Sequence, residues 1–513
     1  MTGPHEAPPS PHAPGGPGSL VRRWLRRWWK LVVPALALLL LVPVVLYWDV
    51  FTCGGPGSGV RLSEGQCVGV TDGSYVYHEE YAEVQAAIAG ENARVAEEAD
   101  GHVVRIALLG TLTFGDVSPM DPVRMVRSLE GAHTAQMRAN HTPHFGDQSP
   151  AIQLHLANMG GQQESWDPVV SELVAMAEDE ENPLVAVIGM GVSVSSTRDV
   201  AARLDVHGIP MVSAAVTADG LAHPETPGLM RAAPSNTEYV RALRAYLDDL
   251  EETPRASLVY DANEPDLFVS SLREAYENQL GVYITGHPQE YTGTTVGDPP
   301  RAGLFHTVTL NVCASDTDTV LFAGRAPDLK EFLASLASRA CSDQPFRVLF
   351  SVIGLTAMDD EEVMGYLRDG DITLVYASAV DPRWSAGQAP EDAPPHYASF
   401  VNAFHEYVGD EDPDALNNGY ALVNHDAFAV AASAVRMTNG MDLDGGPPTA
   451  EEVGSQLMLL NSAHEVRAGG GILGYSDEYG GEAVGRYVPV VELPMEGEEP
   501  RAHPHVIGGA GGV

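Results

Sequence analysis

Lysine is almost missing from this 513-residue chain, Lys30 and Lys330 being the two present. Basic residues as a whole number 29 against 70 acidic ones, a formal charge of −41. Such a surface repels phosphate backbones, which excludes nucleic-acid binding and leaves a solvated, acidic face as the reading of the charge. Cysteine is scarce too, with four residues and no Cys-x-x-Cys, and the 18 histidines are scattered without a His-Glu-x-x-His, so no structural or catalytic metal site is expected. No Gly-x-Ser-x-Gly occurs, which removes the hydrolase elbow, and no nucleophile–base pair emerges, so the chain is not expected to be an enzyme or to carry a cofactor. What is present is a globular composition, 44% hydrophobic and 19% charged. It excludes global disorder, and the length calls for more than one core or for one two-lobed body.

The few positive charges are unevenly placed. Arg22, Arg23, Arg26, Arg27 and Lys30 precede an apolar run and meet only Glu6 and Asp49 within the first 49 residues, leaving 24 basic and 68 acidic residues beyond. From Leu31 to Trp48 the run has 18 uncharged residues, which as a helix span about 27 Å, close to the thickness of a bilayer's hydrocarbon. Trp24, Trp28 and Trp29 before it and Tyr47 and Trp48 at its end supply interfacial aromatics. The expected topology is a cytoplasmic basic tail (1–30), a transmembrane helix (31–48) and a large domain outside the cell membrane. A cleaved signal peptide competes, although Tyr47–Thr52 offers no small-x-small site. Lipidation at Cys53 competes as well, on a poor lipobox. Cys53, Cys67, Cys313 and Cys341 allow three disulfide connectivities; the local pairing, Cys53 with Cys67 and Cys313 with Cys341, suits an oxidising compartment.

Beyond a juxtamembrane loop and helix (49–102), the pattern from residue 103 alternates strand and helix. Strands are expected at Val103–Leu109, Ala151–Leu156, Leu184–Gly189 and Pro210–Ser213, with helices after Asp121-Pro122, over Pro168–Ala177 and over Ser195–Leu204. The strands are continuous apolar runs, as when helices cover both faces of a parallel sheet. A second series follows, with strands at Ala256–Tyr260, Gly281–Thr285, Thr319–Ala323, Phe346–Val352 and Ile372–Ala377. Helices close the domain before a last strand near Arg486–Glu492, and 494–513 reads as a disordered tail. The acidic stretch Asp410–Asp414 is a solvated turn, since Ala415 stands where a calcium loop needs glycine.

The most informative segment is Val187-Ile-Gly-Met-Gly-Val-Ser-Val-Ser-Ser-Thr197, a strand entering a loop rich in glycine and hydroxyls that opens a helix. Free amides and the helix dipole there favour a carboxylate or phosphate, with Ser193, Ser195, Ser196 and Thr197 as added donors. The alternative is that one serine merely caps the helix. A dinucleotide fingerprint fails, because its third glycine position is Val194.

With Gly208-Ile-Pro-Met-Val-Ser213, Ala214-Ala-Val-Thr217, Arg231-Ala-Ala-Pro-Ser-Asn236 and Gly469-Gly-Gly-Ile-Leu-Gly474 following in order, residues 103–493 resemble the type I periplasmic binding proteins, in particular the branched-chain amino-acid binding family of ABC importers. The resemblance implies an α/β fold of two Rossmann-like lobes with parallel sheets joined by a three-strand hinge, lobe 1 at about 103–231 and 379–465 and lobe 2 at about 232–378 and 466–493. It implies a small amino-acid-like ligand held through Ser193 or Ser195, with Ala215 and Thr217 accepting from its ammonium. An ABC permease is the implied partner; a sensor or assembly role reading the same closure is the alternative. In the second lobe Pro265 takes an aromatic position of the family, and Arg325 and Ala326 replace an aromatic pair. These replacements argue against a leucine-like ligand. Arg325 suits a second negative charge if it faces the cleft, and otherwise is a surface residue.

Overall fold

The computed structural model describes Trp29, Val33 and residues 52–55, 57–98, 101–115, 117–296, 303–355, 360–388, 391–410, 412, 414–439, 446–494 and 503–509. The basic tail and the apolar run 31–48 therefore lie outside the described residues but for Trp29 and Val33, and among the described residues no helix is long and apolar enough to cross a membrane.

The first body opens with a hairpin, β1 (Val60–Ser63) and β2 (Gln66–Thr71), turned by Glu64 and Gly65, whose φ of 48° and 80° are the left-handed pair a two-residue hairpin needs. Then come α1 (Ala82–Glu98), β3 (Val103–Gly110), α2 (Pro122–His141), β4 (Ala151–Asn158), α3 (Trp166–Ala177), β5 (Leu184–Gly189), α4 (Ser195–Val206), β6 (Met211–Ser213) and β7 (Leu229–Arg231). The sheet order is β1-β2-β4-β3-β5-β6-β7, parallel from β4 onward. The hairpin corrects the expectation of a loop and helix alone over 49–102: β2 pairs antiparallel with β4 and extends the sheet. Cys67 within β2 is bonded to Cys53, at a Cα separation of 5.6 Å.

The second body holds α5 (Asn236–Asp248), β8 (Ala256–Asp261), α6 (Leu267–Leu280), β9 (Gln289–Tyr291), α7 (His306–Ala314), β10 (Thr319–Ala323), α8 (Ala326–Ala337), β11 (Phe346–Ser351), α9 (Glu361–Asp369) and β12 (Ile372–Ala377). The strand expected at 281–285 is reduced to one bridge, Ala256 to Ile284, and the pairing strand is β9. The apolar pair Val282 and Ile284 misled the pattern, since Val282 is exposed. The second disulfide, Cys313–Cys341, ties the end of α7 to the loop after α8.

The chain then returns through α10 (Pro382–Ser385), α11 (Tyr397–Tyr407), α12 (Tyr420–Asn439) and α13 (Ala450–Leu457), followed by β13 (Val466–Ala468), β14 (Gly471–Ser476), β15 (Gly480–Val488), β16 (Val490–Leu493) and β17 (His505–Val506). Only β16 joins the second sheet, antiparallel to β12. Val466, Ala468, Leu473, Tyr475 and Ala483 pack into the first body's core, so most of 466–493 sits there rather than in the second lobe. The tail, expected to lack structure, contributes β17, which pairs with Tyr487 and Val488 and buries Ile507.

Both sheets are covered on two faces. Along β3, Val104, Ile106 and Leu108 face the core shared with α2 and α12, while Ala107 and Leu109 face α3 and α4. That is why the strand reads as an unbroken apolar run. Helices α2 and α12 pack closely at Gly131, where an added Cβ would lie 1.9 Å from the Ala421 carbonyl oxygen. Alanine gains about 1 kcal/mol over glycine in helix propensity, but backbone on a buried helix cannot retreat. Gly131→Ala is therefore expected to lower stability by about 2 kcal/mol, read as a fall in the urea midpoint at constant slope; an unchanged or higher midpoint refutes the close approach.

Candidate functional site

The parallel strands of the two sheets share one order, β4-β3-β5-β6-β7 and β9-β8-β10-β11-β12. In each, connections leave in opposite directions at one point, between β3 and β5 and between β8 and β10, and a crevice opens there beyond the carboxyl ends of the strands. The loop after β5 carries Ser193 and leads into α4 at Ser195, and the loops after β8 and β10 carry Asp266 and Arg325. The chain passes between the bodies at 231–236, 377–382 and 488–490, so these two crevices face each other.

The glycine- and hydroxyl-rich loop is fastened from within the protein. The Val192 amide donates to Gln163 Oε1 (2.7 Å), Gln163 Nε2 donates to Thr197 Oγ1 (3.0 Å), and Ser193 Oγ accepts from the amides of Thr217 (2.9 Å) and Ala218 (3.1 Å). The second body takes the rest: the Ser195 amide donates to the Pro265 carbonyl (3.2 Å) and the Phe268 amide to the Ser193 carbonyl (3.1 Å). No serine side chain caps α4, which has Val194 at its N-cap. Two of the amides proposed for a ligand carboxylate, those of Val192 and Ser195, thus donate to protein partners, the second to the carbonyl of Pro265 in the other body. Ser193, Ser195 and Ser196 do not line the cleft cavity.

Ala215, Thr217 and Arg325 do line it, together with Arg124, Phe268 and Tyr420. The cavity is about 40 Å³, room for a few waters. Thr217 is 2% exposed and its Oγ1 has no partner among the described residues. Arg325 is the first-lobe-facing cation of the second body, but its charge is already matched: Nε and Nη2 grip Asp266 Oδ2 and Oδ1 at 2.5 and 2.8 Å, and its guanidinium lies 5.2 Å from the centre of the Phe268 ring. Asp266 also caps α6, accepting from the Phe268 amide. Behind this pair burial pushes the Asp261 carboxyl up to about 6, against the amides of Gly293 and Asn263 and with added repulsion from Asp328 and Asp266. On the first body, Arg124 lies 3.2 Å from Asp121 and 5.8 Å from the Tyr420 ring centre. No carboxylate lines the cavity among the described residues.

Arg124, Asp266 and Tyr420 escaped the sequence reading. Asp266 carried a signal, an acidic residue just before an apolar helix; Arg124 and Tyr420 sit in unremarkable helical stretches, and only the fold turns them to the cleft.

No family model matches the chain, and no curated protein matches it. Among solved structures it is similar to a Desulfitobacterium hafniense ABC transporter substrate-binding protein in complex with Leu, at 18% identity and TM-score 0.55, covering 79% of this chain and 100% of that one. It is similar also to the branched-chain amino acid transporter substrate-binding protein LivJ of Streptococcus pneumoniae in complex with isoleucine, at 13% identity and TM-score 0.55, over 79% and 99% of the two chains. A third is a Rhodopseudomonas palustris solute-binding protein of an ABC transporter in complex with p-hydroxybenzoic acid, at 11% identity and TM-score 0.55, over 79% and 97%. Two parallel sheets of one strand order, crossed three times by the chain and facing each other at their switch points, together with these likenesses, give the chain the type I periplasmic binding protein fold.

Proposed function

We propose that the chain is an extracytoplasmic solute-binding protein that closes its two bodies on a small carboxylate with an apolar or aromatic body and presents it to the permease of an ABC importer. The observation that carries this reading is the cleft wall: the aromatic rings of Phe268 and Tyr420, two arginines whose carboxylate partners Asp121 and Asp266 do not line the cavity, and a buried Thr217 hydroxyl without a partner among the described residues. An unmatched buried hydroxyl costs stability unless something fills its hydrogen bond. The ligands of the similar structures, amino acids and a hydroxybenzoic acid, share the carboxylate this wall would receive. Entry requires the bodies to part, since the closed cavity holds no more than a few waters. The run Leu31–Trp48 tethers the protein to the membrane.

The test is thermal shift of the full-length chain in detergent against leucine, isoleucine, 4-hydroxybenzoate and benzamide. A carboxylate is expected to raise the melting temperature and the neutral amide to leave it unchanged. Thr217→Val should weaken binding about tenfold, while Ser195→Ala, whose hydroxyl lies off the cavity, should not. A shift unaltered by Thr217→Val, or no shift with any carboxylate, overturns the reading.

A further inference from the structure

A second cavity, of about 390 Å³, lies in the first body away from the cleft. Its volume falls in the range of small-molecule sites. Three helices wall it. Glu83, Val84 and Ala87 come from one face of α1, Val126, Arg127, Glu130 and His133 from one face of α2, and Phe404 and Tyr407 from the end of α11, with Glu80 and Asp412 at the rim. The spacing of four residues from Val126 to Glu130, and of three from there to His133, places them on successive turns of one helix face.

The electrostatics of this space are one-sided. Four carboxylates, Glu80, Glu83, Glu130 and Asp412, line it against the one guanidinium of Arg127. Arg127 is paired with two of the four, donating to Glu130 Oε2 (2.7 Å) and to Asp412. Glu80 and Glu83 have no ion-pair partner among the described residues. Burial raises the Glu130 carboxyl above its ordinary value even though Arg127 pulls it down, so a further cation beside it would be stabilising.

An independent feature points into the same space. His133 is 4% exposed and lines the cavity. Its Nδ1 meets Gln136 Oε1 at 3.3 Å. That oxygen is an acceptor, since Gln136 Nε2 donates to Asn92 Oδ1 (2.8 Å), so Nδ1 is the protonated nitrogen. Burial holds the imidazole below its ordinary pKa and therefore neutral at pH 7. Nε2 is then a lone-pair acceptor, and it has no partner among the described residues. An acceptor open to the cavity on an otherwise buried ring, beside surplus carboxylate and Val84, Val126, Phe404 and Tyr407, suits a ligand rich in N–H donors, positively charged, on an apolar stem.

We infer that this cavity is a second ligand site, which takes a small organic cation, an ammonium or guanidinium on an aliphatic or aromatic body. The carboxylates of Glu83 and Glu130 receive the charge, His133 Nε2 accepts one N–H, and the apolar side chains of α1, α2 and α11 cover the stem. The site is independent of the cleft, whose wall has the opposite charge character.

Titration calorimetry on the full-length chain in detergent tests this with 1,5-diaminopentane, 1,5-pentanediol and glutarate, which share a five-carbon skeleton. Saturable one-to-one binding of the diamine is expected, with none of the diol or diacid. Glu80→Gln with Glu83→Gln changes two exposed side chains without described ion pairs and leaves the fold intact; it should weaken the diamine about tenfold. Thr217→Val should leave diamine binding as it was. Equal binding of diol and diamine, unsaturable uptake expected of a diffuse acidic surface, or unchanged affinity in the double variant overturns the inference.

Discussion

Asp426→Ala is expected to remove about 3–5 kcal/mol of stability, the loss typical of breaking a buried ion pair from one side. Asp426 and Arg486 are both 0% exposed. The carboxylate accepts from the amides of Gly469 (2.8 Å) and Gly470 (2.9 Å), from Arg486 Nη1 (2.5 Å) and from His425 Nδ1 (2.8 Å). Burial opposes its ionisation, but Arg486, His425 and the Gly469 amide outweigh burial and hold it below the ordinary carboxylate value. Removing it strands a guanidinium whose Nε and Nη2 already lack partners among the described residues, along with two glycine amides. Arg486 Nη1 also donates to the Ala232 carbonyl (3.1 Å), and Tyr475 Oη to that of Arg231 (3.0 Å), so the network fastens β14 and β15 to the first crossing between the bodies. Urea midpoints of the full-length chain measure the loss. Arg486→Met in the Asp426→Ala background should cost less than it does alone, because the charge it strands is gone. A loss under about 1 kcal/mol for Asp426→Ala would mean that water reaches the site.

Arg325→Met is expected to cost a similar 3–5 kcal/mol and, in addition, to weaken any cleft carboxylate at least tenfold. Asp266, 1% exposed, loses its bidentate partner beneath the cleft. Asp266→Asn added to Arg325→Met should restore most of the stability, since the asparagine keeps an oxygen for the Phe268 amide and buries no charge. Ligand affinity should stay low in that double variant if Arg325 supplies field to the cleft, and should return if Arg325 serves only to support the loop. Thermal midpoints and ligand shifts on the three proteins separate the two roles. A single variant as stable as the parent would show Asp266 solvated.

Much of the scaffold was legible because a strand covered on both faces must be apolar throughout. Val103–Leu109, Leu184–Gly189, Thr319–Ala323 and Ile372–Ala377 announced themselves this way, and Asp121-Pro122 marked the start of α2, where Asp121 accepts from the Arg124 amide. The same logic failed where strands are short or half-exposed. The hairpin of β1 and β2 lay hidden in a glycine-rich loop, and Gly281–Thr285 meets β8 only through one bridge, Ile284 to Ala256. Short strands owe their state to the neighbour they bond, and no local pattern names that neighbour.

The cleft followed the same division. The resemblance to the binding-protein family singled out Ala215 and Thr217, and both lie on the cavity wall. Ser193 was legible as a hydroxyl in the right loop, yet its two amide donors lie 24 and 25 residues away, and Ser195 loses its amide to Pro265 of the other body. Sequence by itself determined the alternation of strand and helix, the disulfide-compatible cysteine spacing and the acidic character of the surface, since each rests on residue type and local period. Only the tertiary structure decided which hydrogen-bond donors remain free, that Arg325 answers to Asp266, and that α1, α2 and α11 enclose a space with surplus carboxylate. Hydrogen bonds and charges are satisfied by proximity in space, and proximity is what folding adds.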